Sequence, residues 1–200
     1  ESGTLAITGA TTISASGQDI TLDESASTFG SLLLTGANVA VTDAGAVDLG
    51  ASTVSGTLGI TSAGAVTDSG TLAISGATAS SAGGQGITLD QAASTFGTLA
   101  LTGANVAVTE NAATDLGAST VSGTFAITSG GAITDSGTQA ITGDATFTNT
   151  AGTDDAITLD DASNAFGGTV TFAPDSGSAV TIVDTTALDL VALTAASLSA

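Results

Sequence analysis

Large apolar residues recur at every second position in a series of short runs. Leu5-Ala6-Ile7, Ile20-Thr21-Leu22, Leu32-Leu33-Leu34, Val39-Ala40-Val41, Val47-Asp48-Leu49 and Leu58-Gly59-Ile60 all follow this alternation. A period of two puts one set of side chains on the inner face of a strand and the other set outside. Between the runs lie Thr8-Gly9, Ser16-Gly17, Thr35-Gly36, Ala44-Gly45, Ser55-Gly56 and Ala63-Gly64. These are turn residues, which tolerate positive φ or bond the local backbone through their side chains. The pattern predicts many short strands and no helix through the regular part of the chain.

The runs belong to a longer repeat. Ser2-Gly3-Thr4-Leu5-Ala6-Ile7 returns as Ser69 to Ile74, and at the same offset once more as Ser136-Gly137-Thr138-Gln139-Ala140-Ile141. The repeat units are 2–68, 69–135 and a diverged third, 136–200, within one continuous structure. Leu34 to Thr42 matches Leu101 to Thr109 without a change, and Asp48 to Thr57 matches Asp115 to Thr124. In the third unit the strand Ile157-Thr158-Leu159 begins later than the offset of its counterpart Ile87-Thr88-Leu89 requires. The added residues fall at 148–155, and a second expansion surrounds Pro174, the only proline. Val191 to Leu198 lacks glycine and reads equally as a closing cap, a short helix or a divergent strand.

Strands of three to five residues cannot bury a face alone, but stacked repeats bury a continuous core. The predicted fold is therefore all-β, a parallel β-solenoid with about three short strands per coil. At roughly 22 residues per coil, each unit is expected to make about three coils and the whole chain about nine. At the ~4.8 Å strand spacing the rod is expected to be roughly 40–45 Å long.

Composition narrows the function classes. The chain has 19 acidic residues and no Lys, Arg or His, a formal charge of −19. Nucleic-acid binding and docking on an anionic membrane both draw on Lys and Arg, so neither is expected. No apolar run approaches the ~20 residues of a membrane helix, and membrane insertion is not expected. Glu1-Ser2-Gly3-Thr4 has neither the basic nor the apolar region of a signal peptide, so any export signal is expected outside this sequence. With no Cys the fold must hold by packing and hydrogen bonds. At 42% hydrophobic residues the chain has the apolar content to build a core.

Three motifs carry a family resemblance: Asp160 to Gly167, Gly36 to Gly50 and Gly131 to Gly137. They resemble the repeats of giant secreted bacterial exoproteins of the filamentous-haemagglutinin type, over essentially the whole chain. The resemblance implies a right-handed parallel β-helix, export across a Gram-negative envelope to the cell surface, and a role in adhesion or matrix building.

The acids recur at repeat positions: Asp23, Asp90 and Asp160; Asp43 and Glu110; Asp48, Asp115 and Asp189; Asp68 and Asp135. Asp154-Asp155 and Asp160-Asp161 are the densest local cluster. Turn carboxylates with backbone carbonyls suit Ca²⁺, which takes several oxygen ligands. Asp23, Asp68, Asp90, Asp135, Asp154, Asp155, Asp160 and Asp161 are thus the candidate metal ligands. Against this stand the absence of an Asp-x-Asp-x-Asp-Gly loop and the alternative of a solvated acidic surface that keeps the rod soluble.

Phe29, Phe96 and Phe166, with Leu22, Leu89 and Leu159, are the predicted core of the recurring block, the rings filling the same corner in each unit. Asn38 and Asn105 read as corner residues. No His, Lys, Arg or Cys is present to act as base, electrophile or nucleophile, and the acids recur instead of forming one unique pair. A non-catalytic chain without a cofactor is expected. It reads as a structural repeat segment of an extracellular adhesin or surface filament, expected to continue into further repeats or to stack end to end. The other reading is a Ca²⁺-loaded rod that recognises glycans or another surface.

Overall fold

The alternating runs form strands and the Gly, Ser and Asp clusters form the turns in a computed structural model that describes residues 1–150, 155–191 and 193–200. The strands stack in parallel as a β-solenoid of about nine turns, with no helix among the described residues. The first two turns hold two strands each: β1 (Ala6–Ser14) and β2 (Ile20–Leu22), then β3 (Thr28–Gly36) and β4 (Val39–Asp43). Three follow per turn: β5 (Val47–Leu49), β6 (Ser52–Val54) and β7 (Leu58–Ser62), then β8 (Val66–Asp68), β9 (Leu72–Ile74) and β10 (Ala77–Ser81). In the next turn β11 (Ile87–Leu89) and β12 (Thr98–Gly103) flank a single bridge from Thr95 to Ala73. Then come β13 (Val106–Glu110), β14 (Thr114–Leu116) and β15 (Ser119–Val121), and β16 (Phe125–Ser129), β17 (Ile133–Asp135) and β18 (Gln139–Ile141). The last turns are β19 (Ala145–Asn149), β20 (Ile157–Leu159) and β21 (Ala165–Phe166), then β22 (Thr169–Ala173), β23 (Ala179–Ile182), β24 (Asp189–Leu190) and β25 (Ser197–Ser199). The segment from Val191 to Leu198 thus runs into a strand, β25, paired with β23.

Inward positions are filled as the alternation requires. Ile20, Leu22, Val39, Val41, Val47, Leu49, Leu58 and Ile60 are all buried, each flanked by an exposed or half-buried neighbour. One strand has no large apolar residue: β10 turns Thr78 and Ser80 inward, and both hydroxyls lack a hydrogen-bond partner. Its place in the wall is set by its neighbours, Leu58 and Ile60 on one side and Leu99 and Leu101 on the other.

Two glycine positions show what the coil geometry demands. Gly17 and Gly84, equivalent in successive units, have φ of 72° and 82°, a conformation that L side chains rarely adopt. Gly70 instead lies against the preceding turn, where a β-carbon would stand 2.3 Å from the Ala51 nitrogen.

The repeat unit is not a whole number of turns. β2 stands under β4, β4 under β7 and β7 under β10, which makes three turns. Its repeat equivalent, β11, is the next strand in the chain after β10, and it stands in the other sheet, on β8. The same count runs from β11 through β13, β16 and β19 to β20, which is back in the first sheet. Each unit therefore advances three turns plus one strand position, about a third of a turn. The pairing scheme superimposes on itself after this shift. Val39↔Leu58 becomes Val106↔Phe125, Leu32↔Leu49 becomes Leu99↔Leu116, and Thr35↔Thr53 becomes Thr102↔Thr120. The long strand β3 carries β5 and β6 side by side, and β12 carries β14 and β15 in the same way. The rod thus has an internal screw, rising roughly 16 Å per unit at the usual strand spacing.

The rod has about three coils per unit and about nine in all, as expected, and the added strand position corrects the expectation of one shared corner for the phenylalanines. Phe29, Phe96 and Phe166 are all buried but share no ladder: Phe29 pairs with Ile7, Phe96 follows the bridge from Thr95 to Ala73, and Phe166 pairs with Ile141 in the other sheet. The aromatic stack that does form gathers different rings. Phe147 meets Phe125 at 5.9 Å, Phe166 at 6.1 Å and Phe172 at 5.6 Å between centroids.

Candidate functional site

The recurring acids divide: Asp43, Glu110, Asp68 and Asp135 end strands and hold backbone, while Asp48, Asp115 and Asp189 bond serine or threonine hydroxyls at the surface. Asp68 ends β8, and its two oxygens accept the N–H groups of Asp90 at 2.8 Å and Gln91 at 3.4 Å. One unit later, Asp135 accepts from Asp160 N–H at 2.9 Å, Asp161 N–H at 3.3 Å and Asn164 Nδ2 at 2.6 Å. One unit earlier the position is Glu1, which accepts from Glu24 N–H at 3.2 Å and Ser27 Oγ at 3.1 Å. Each acid ties down the turn that follows Ile-Thr-Leu in the next coil. That turn would otherwise leave N–H donors without partners. Burial pushes the Asp68 carboxyl above its ordinary value, against the opposing pull of the Asp90 and Gln91 N–H groups.

The candidate Ca²⁺ ligands are accordingly split. Asp68 and Asp135 point at N–H donors, while Asp23, Asp90 and Asp160 are exposed at the turns those acids hold. Asp161 accepts Ser163 N–H at 2.9 Å and Thr138 Oγ1 at 3.0 Å. Asp155 is half-buried before β20, and Asp154 lies outside the described residues. Asp68 is brought to the Asp90 turn and Asp135 to the Asp160-Asp161 turn, through backbone donors. Among the described residues no group of three or more acids closes on one cation position. The screw also puts the strand before Asp90 in the other sheet from those before Asp23 and Asp160, so the three form no single column.

A second set of acids makes a clasp that alternation alone does not reveal. Asp43 ends β4 and accepts the Phe29 N–H at 2.9 Å through Oδ2 and the Gly45 N–H at 2.7 Å through Oδ1. Glu110 ends β13 and accepts the Phe96 N–H at 3.1 Å. Asp184 accepts the Phe166 N–H at 3.1 Å and the Thr186 N–H at 2.9 Å. In the first two units the sequence signal was the acid that ends the strand where the chain comes back beside the Phe; in the third, Asp184 lies past the end of β23. Desolvation pushes the Glu110 carboxyl up to about 7, with Thr114 and the Phe96 amide pulling the other way. Asn38 and Asn105 staple the corners: each accepts from the N–H and hydroxyl of a threonine in the next coil, Thr57 and Thr124 respectively.

The outer surface offers little chemistry. A shallow groove of about 320 Å³ runs over β4, β7, β10 and β12, lined by small side chains such as Thr42, Thr61, Ser81, Thr102, Ala40 and Ala100, with no titratable group among them.

Replacing Asp135 by alanine strips acceptors from three donors at once and is expected to cost about 1–3 kcal/mol in urea denaturation. Replacing the exposed Asp90 by asparagine should change stability by under about 0.5 kcal/mol. Equal effects would remove the distinction between clasp and surface acids.

Compared with known families, the chain matches the model described as Repeats of unknown function (DUF5649) at residues 1–35, 36–102 and 103–173, and it belongs to that family. The middle match has the length of one repeat unit. No curated protein and no solved structure matches the chain.

Proposed function

We propose that the chain is a structural repeat segment of an extracellular bacterial adhesin or self-assembling surface filament, with no catalysis of its own. The observation that carries this reading is the pairing scheme that repeats itself under the screw. Every unit places its strand-end acids on backbone donors and its apolar residues in the wall, so the sequence builds length and not a unique cleft. The likeness of the repeats to filamentous-haemagglutinin-type exoproteins supports the same reading, including export to the surface of a Gram-negative cell. The uniform negative charge and the absence of Lys and Arg suit a rod that stays soluble and away from nucleic acid.

Antibody labelling of intact source cells, with electron microscopy of the native protein, tests the proposal. Surface labelling on rods or fibres is the expected result, and labelling confined to the cytoplasm would overturn it. Thermal melting with and without a chelator tests the competing reading. An unshifted midpoint is expected, whereas a large drop would favour a Ca²⁺-loaded rod that recognises glycans or another surface.

A further inference from the structure

Two units that otherwise match closely differ at one clasp. Asp43 in the first unit is Glu110 in the second, and Val47, the first residue of the next strand, is Thr114. Both changes fall inside the wall, where Glu110 is 3% exposed and Thr114 1%. In the first unit both oxygens of the acid are occupied, by the Phe29 and Gly45 N–H groups. In the second only Oε2 is occupied, by the Phe96 N–H. Oε1 of Glu110 and Oγ1 of Thr114 are both buried without a hydrogen-bond partner. A buried carboxylate oxygen that has a hydroxyl at best, where its counterpart has a backbone N–H, is less well held in the charged form, while a carboxylic acid carries its own hydrogen.

We infer that Glu110 and Thr114 form a buried proton site, in which a neutral Glu110 donates through Oε1 to the Thr114 hydroxyl and holds the second unit's wall more tightly than the ionised form does. When the proton leaves, it passes to solvent, and the charge left behind sits buried with the Phe96 N–H and, at best, the Thr114 hydroxyl as its donors. Among the described residues no charged side chain is turned toward the site to offset this. Of the neighbours of β13, β11 is followed by Asp90, which is exposed, and β16 brings the neutral Ser129. From β14, Thr114 points inward, while Asp115 is engaged at the surface by Thr98 and Ser136. The upward push on the Glu110 carboxyl has burial as its largest cause and no contribution from another charge.

The sign follows from linkage. The folded rod holds this proton between the ordinary glutamate range and about 7, where the unfolded chain does not. The stability that Glu110 adds is full below that window and is lost as pH rises through it.

The test is amide hydrogen exchange on the full chain from pH 5 to 8, corrected for intrinsic rates, with Phe29 as the internal reference. Phe29 shares the general relief of charge repulsion on acidification but not the Glu-Thr pair. Protection at Phe96 should fall about tenfold or more relative to Phe29 as pH rises. Glu110→Gln, which cannot ionise, should abolish the difference. So should the double variant Glu110→Asp with Thr114→Val, the pair that the first unit already accommodates. Asp90→Asn should leave the difference intact. Parallel behaviour of Phe96 and Phe29 in the native chain would overturn the proposal, as would a pH dependence that survives in either clasp variant. If the glutamine variant fails to fold, the double variant decides.

Discussion

A chain lacking residues 36–102 is expected to fold into a shorter rod that still unfolds in one cooperative step. The deletion joins Thr35 to Gly103, the equivalent of Gly36, and removes one whole repeat unit. Because the pairing scheme repeats under the screw, β13 then takes the seat on β2 that β4 held, and β14 and β15 take the seats of β5 and β6 on β3. Glu110 meets Phe29 as Asp43 did. No interface in the shortened rod lacks a counterpart in the native one. The urea m-value should fall by about a third, in line with the surface lost. Deleting 37–96 instead removes three turns measured along one ladder, from Gly36 through Val54 and Ile74 to the Thr95 bridge. That cut seats β12 on β2 instead of β10 and takes away the Phe96 amide that Glu110 holds. It should give a broad, low-midpoint transition or no fold. Circular dichroism through a urea titration distinguishes the two, and similar behaviour of both deletions would mean that the screw does not govern assembly.

Phe147→Ala is expected to be the most damaging single substitution, at about 3–5 kcal/mol. Phe147 is 0% exposed, and its ring is the hub of the aromatic cluster, edge-on to Phe125 and Phe166 and stacked on Phe172. These rings come from β16, β19, β21 and β22, so one side chain joins successive turns. In sequence, Phe147 comes just before the expansion at 148–155, where the third unit departs from the others. Its equivalent in the second unit is Ser80, a buried hydroxyl with no partner. The third unit therefore adds apolar volume where its turns are longest. Chemical denaturation gives the number, and a loss below about 1 kcal/mol would show that the cluster does not hold the turns together.

Much of this architecture was legible in the sequence. Period-two alternation marked β2, β4, β5 and β7, and the long recurrence marked a stacked rod of about nine turns. The phase was not legible. Ser31 pairs with Asp48 in a short turn, and Ala145 pairs with Val170 in a much longer one. Dividing a unit by a typical coil length therefore cannot separate three turns from three and a third. The strand β10 escaped the alternation because its inward residues are Thr78 and Ser80, and only the strands on either side fix its place. The acids misled for a related reason. Asp68 and Asp135 sit beside Ser and read as turn carboxylates open to a cation or to water, yet their donors arrive from the following coil. A carboxylate that holds an amide and one that faces water look alike until the next coil is laid beside them.

The third-of-a-turn phase also bears on the shape of a longer array. In each of the first two units a long strand, β3 or β12, carries two strands of the next turn. Units stacked in phase would set these splices one above another on a single side. With the advance of one strand position, β12 stands in the other sheet from β3, so the splice changes sides from the first unit to the second and does not accumulate along one edge of the rod.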